Sequence, residues 1–240
     1  MIMETRERLT VVRTAIAIAG VVAGLLAFGL GEAVYGLIPA ETSKIQTLGN
    51  VVTAQTGQTL EVAAVRNAAL AFGVLGLCLG GTFGLAGGMI GRRPTIATLG
   101  AFGLGAIVGA LAAAGVSLAL VRQALQTAER YPEYELPIAI VMHAAIWGVA
   151  GAVAGLAFAV GRGVPRYWPR ALAAGFAGGL LGAIAFDLIG AAIFPLANTG
   201  EALSTTWPSR LLARMLVGLG TAGALIFGVS RTSAPKTSTA

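Results

Sequence analysis

An all-α integral membrane protein of six transmembrane helices, arranged as three antiparallel helical hairpins, is the fold class this sequence predicts. Three observations predict it. The 240-residue chain is 56% hydrophobic but only 11% charged, well under half the charged fraction of a soluble domain, about 25%. Apolar stretches of about 20 residues, the length that crosses roughly 30 Å of hydrocarbon as a helix, recur along the chain. The Lys and Arg residues gather at alternate ends of those stretches.

The first apolar stretch, about 12–37, follows Arg6, Arg8 and Arg13. It is too long for the hydrophobic part of a cleaved signal peptide and reads as an uncleaved signal anchor. The second, about 64–90, opens with Arg66 and Asn67, carries no charge until Arg92, and places Gly76, Gly80, Gly84 and Gly88 at one spacing. Four-residue spacing puts all four glycines on one face, so this helix is expected to be central and packed on more than one side. The third and fourth stretches, about 96–121 and 137–160, carry shorter glycine series at Gly105/Gly109 and Gly151/Gly155. The fifth and sixth are about 171–195 and 210–229. Together, residues 1–229 form one six-helix domain with hairpins at about 12–90, 96–160 and 171–229. The small, polar tail 230–240 is expected to be a disordered cytoplasmic extension.

Two connections are short (91–95 and 161–170), and three are long and rich in turn residues (38–63, 122–136 and 196–209). The N-terminus, short connections and tail hold ten Lys/Arg against two acids; the long connections and adjoining helix ends hold six against six. Positive flanks resist translocation, so both termini and the short connections are expected to be cytoplasmic, in a multi-pass protein of the inner (plasma) membrane. The lipid bilayer is thus the first partner, and a membrane-protein partner or a second copy the next. The acidic connection 126–137 is a candidate docking surface. Basic residues scattered over four segments form no nucleic-acid patch. Tyr131, Tyr134, Trp147, Trp168 and Trp207 read as interfacial anchors.

The first and third hairpins resemble one another. At an offset of 155, Gly20 falls on Gly175, Gly24 on Gly179 and Glu32 on Asp187. The returning helices align on Arg66, His143 and Arg214. A threefold repeat about an axis along the membrane normal is the expectation.

Glu32 and Asp187 are acids inside apolar spans, where an ionised group costs several kcal/mol and is normally paired inside the bundle. They lie roughly 10 and 12 Å from the ends of their spans at 1.5 Å per residue. The expected pairs are Glu32–Arg66 and Asp187–Arg214, with Asn67 filling a leftover acceptor and Arg210 either meeting Asp187 or reaching the headgroups. His143 is the sole histidine and Cys78 the sole cysteine, so no metal site is expected and no cofactor is implied. No nucleophile–base set or phosphate loop stands out. The expected function is therefore a non-enzymatic membrane protein, a structural or accessory subunit of a membrane complex. The alternative is a small secondary transporter or channel using Glu32 and Asp187.

Overall fold

The computed structural model describes residues 2–47, 50–194 and 196–230. Six long helices account for nearly all of it: α1 (Ile2–Val34), α2 (Gly57–Ile90), α3 (Thr95–Arg130), α4 (Glu135–Arg162), α5 (Trp168–Ile193) and α6 (Trp207–Ser230). Each contains a segment long and apolar enough to cross a membrane. The tail expected to be disordered lies, from residue 231 on, outside the described residues.

The helices outrun the apolar stretches that announced them. α2 begins at Gly57 because Thr56 caps it: the Thr56 hydroxyl accepts from the Thr59 amide, and the Thr59 hydroxyl accepts from the Thr56 amide. α3 continues to Arg130 through a polar stretch tied to α2, where Arg122 and Gln126 both reach Glu61. Gly163, at φ +69°, ends α4 in the left-handed conformation that glycine adopts without a Cβ clash. One element departs from the all-α expectation. Strands β1 (Ser43–Thr47) and β2 (Asn50–Ala54) pair antiparallel inside the first long connection, Ser43 opposite Ala54.

α2 is the central helix. Of its most apolar stretch 72% is buried, against 33–44% in the other five, and it packs on α1, α3 and α4. The closest helix pairs are α2 with α3 and α4 with α5, the pairs joined by short connections; α6 lies against α5 and α1. Glycine makes these approaches possible. A Cβ on Gly76 or Gly80 would run into the carbonyls of Gly109 and Gly105, and one on Gly151 would run into that of Gly175. Without a hydrophobic force between helices in lipid, such backbone contact supplies much of the attraction. Gly20 meets Gly218 and Ala222, and Gly24 meets the Arg214 carbonyl, which brings α1 against α6. α2 meets α4 closely whereas α4 barely meets α6, so the inner contacts are not equal around the bundle.

Trp147 stands apart from the other expected anchors. Tyr131, Tyr134, Trp168 and Trp207 are 50–59% exposed, but Trp147 is 1% exposed and belongs to the core. It sits one turn beyond His143 on the inward face of α4, among His143 and Phe186.

Candidate functional site: a buried acid–base cluster

The ionisable residues Glu32, His143, Asp187, Arg210 and Arg214 gather toward the end of the bundle that carries the long connections. The tight α1–α6 approach places Glu32 beside Arg210. Nε of Arg210 donates to Oε1 at 2.6 Å and Nη2 donates to Oε2 at 2.7 Å, a fork-to-fork pair. Nη1 of Arg210 donates to the carbonyls of Ser204 and Thr205, both at 2.9 Å, and the guanidinium lies 3.7 Å from the centre of the Tyr35 ring. Four of its five N–H donors are thereby used. The Arg210 side chain is 11% exposed and that of Glu32 31%.

The second acid is deeper. Asp187 Oδ1 lies 2.8 Å from His143 Nδ1, with side-chain exposures of 0% and 1%. One proton bridges the two whichever residue holds it. Trp147, Phe186 and Phe72 surround the imidazole, with ring centres at 5.4, 5.8 and 6.4 Å. Asp187 Oδ2 and Trp147 Nε1 have no hydrogen-bond partner among the described residues.

Both expected pairings are therefore corrected: Glu32 joins Arg210 rather than Arg66, and Asp187 joins His143 rather than Arg214. The reason is packing. Each acid was assigned to its partner along the chain, yet α1 presents Glu32 to α6 and α5 presents Asp187 to α4. Arg66 is instead half exposed, 3.7 Å from the exposed Glu41, a surface pair of little energetic weight. Asn67 satisfies a backbone rather than a carboxylate: its Oδ1 accepts from Ile38 N at 3.0 Å and its Nδ2 donates to Ile38 O at 2.7 Å. Arg214 is buried at 4% exposure, its Cζ 5.5 Å from the Phe72 ring centre, and its Nη1 has no partner among the described residues.

The two acid–base pairs occupy matching positions. Gly24 faces the Arg214 carbonyl and Gly179 faces the Trp147 carbonyl. From Gly24 to Glu32 and from Gly179 to Asp187 is the same two-turn step along the helix. Arg210 precedes Arg214, and His143 precedes Trp147, by the same single turn. Counting the same way on α3 and α2, from Gly109 and Gly76, reaches Ser117 and Phe72, a position pair with no acid.

The connection 196–206 closes this end of the bundle, held by Thr205 N donating to Ala197 O and by Asn198 donating to Glu201. Ala202 and Leu203 of this segment separate two spaces. On one side lies a cleft of about 230 Å³ bordered by Tyr35, Asn67 and Leu125. On the other lies a small cavity bordered by His143, Trp147, Arg210 and Arg214.

Fold and cluster together describe a predominantly helical protein with six helices of membrane-crossing length and two acid–base pairs, one partly and one fully buried, as expected of a membrane protein. Comparison with family models, curated proteins and solved structures gives no match.

Proposed function

We propose that this chain is a non-enzymatic multi-pass membrane protein, a structural or accessory subunit of a membrane complex. Both termini and the short connections face the cytoplasm across the plasma membrane. The observation that carries the reading is the use of both Glu32 oxygens by Arg210. A carboxylate held this way joins helices; it is not free to take up and release a passing ion. Asp187, fully buried on His143, supports the same reading. The lopsided Lys/Arg distribution supports the orientation.

A threefold repeat of helix pairs is part of the proposal, offset by one helix from the sequential hairpins: α6 with α1, α2 with α3, and α4 with α5. Each pair packs through glycines, and two of the three carry an acid and a base at matching positions. The remaining surface suits lipid or a second membrane protein. α3 turns Ile96, Leu104, Ile107 and Leu111 outward, 58–86% exposed.

The test compares E32Q and D187N with the parent chain in proteoliposomes. Lower thermal stability with no change in proton or cation flux is the expected result. Stable variants that lose a flux present in the parent would instead establish the transporter or channel reading, which draws support from Asp187 Oδ2 having no partner among the described residues.

A further inference from the structure

We propose that the small cavity beside Arg214 is a binding site for a compact monovalent anion of chloride size. Its walls carry donors and no carboxylate: Arg210, Arg214, His143, Trp147 and Ser204 line it, and neither Glu32 nor Asp187 does. Arg210 is already matched by Glu32. Arg214 is not matched. It is 4% exposed, makes no salt bridge among the described residues, and keeps Nη1 without an acceptor. The Trp147 indole N–H in the same wall also lacks one. A buried cation without a salt-bridge partner is strongly unfavourable, and a buried donor without an acceptor adds to the cost. One small anion accepting from Arg214 Nη1 and Trp147 Nε1 answers both.

Size selects the ligand. The space available to the centre of a water-sized sphere is about 20 Å³, enough for one or two small species and too little for a sugar, nucleotide or lipid headgroup. Ala202 and Leu203 divide the cavity from the 230 Å³ cleft. Phe72, edge-on to His143 and under the Arg214 guanidinium, keeps the far side apolar, which strengthens the attraction between ion and guanidinium.

The experiment is a titration of the purified full-length protein with chloride and with bromide, against gluconate at constant ionic strength, following the thermal unfolding midpoint. The expected result is a saturable rise with either halide and none with gluconate. Trp147→Phe keeps the ring packing but removes one donor, and should weaken halide affinity about tenfold, the value of one hydrogen bond to a charged group. Bromide anomalous scattering from crystals of the parent protein, expected within hydrogen-bond distance of Arg214, gives a second readout that needs no variant. Identical midpoints in all three salts, or an unchanged halide response in Trp147→Phe, overturns the proposal. Stabilisation by inorganic phosphate with halides inert overturns the assignment of size.

Discussion

Glu32 and Arg210 stand 178 residues apart in the chain, yet two parallel hydrogen bonds of 2.6 and 2.7 Å join them. The pair ties the first helix to the last, and Arg210 extends the tie to the Ser204 and Thr205 carbonyls. Removing the guanidinium strands a carboxylate and two carbonyls together. A broken buried pair costs about 3–5 kcal/mol, and the partial exposure of Glu32 reduces this to about 2 kcal/mol for Arg210→Ala. Arg210→Lys keeps the charge but not the fork, and should recover less than half of the loss. Thermal unfolding of both variants in one detergent checks the order.

The Asp187–His143 pair is more sensitive because neither side chain meets solvent. His143→Ala leaves Asp187 with no partner on either oxygen among the described residues, since Oδ2 already has none there. A loss of about 3 kcal/mol is expected. Asp187→Asn, which retains a hydrogen-bonding group of the same shape, should cost less. If neither variant unfolds below the parent, the hydrogen bond contributes nothing.

Backbone contact between α2 and α3 makes a sharp prediction about glycine. Gly80→Val places a side chain against the Gly105 carbonyl and should prevent correct packing of the two helices. Gly103→Ala, on the open face of α3 with nothing within 4 Å, should leave the unfolding free energy within about 0.5 kcal/mol of the parent. Expression level and monodispersity of the two variants separate the cases.

Asn67 anchors the connection that follows α1 through both backbone groups of Ile38. Asn67→Ala removes two hydrogen bonds at about 1 kcal/mol each. Faster amide exchange in 35–42 with unchanged exchange in the core of α2 is the expected signature. Uniform acceleration along α2 would show that Asn67 supports the helix rather than the connection.

The helices were legible because hydrocarbon thickness imposes a length on apolar runs, and the series Gly76 to Gly88 marked α2 as the helix packed on several sides. Their outer ends were less legible. Hydropathy stops where the oil stops, whereas α3 goes on to Arg130 on polar contacts with Glu61, and α2 starts early on a Thr56–Thr59 cap. The β-branched residues Ile45, Val51, Val52 and Thr53 in the first long connection were the available signal for the strand pair, outweighed there by turn residues.

The offset of 155 brought the two acids to equivalent positions, and the structure puts both into acid–base pairs. The bases were misassigned because the returning helices were aligned by polar character, His143 on Arg214. Packing registers His143 with Arg210 instead, through the carbonyls that Gly179 and Gly24 meet. That register depends on which helices touch, which a single sequence does not reveal. Trp147 was misplaced for the same reason: its depth follows from the face α4 turns inward, not from its distance to a helix end.

A charge-swap cycle on Glu32 and Arg210 bears most directly on the central claim that an acid–base pair holds α1 to α6. The measurement is the unfolding free energy of Glu32→Arg, Arg210→Glu and the double variant. Each single variant should be markedly destabilised by like charges at close range, and the double variant should regain at least about 1 kcal/mol of that loss through the reversed pair. A double variant as unstable as the sum of the two single ones would contradict it.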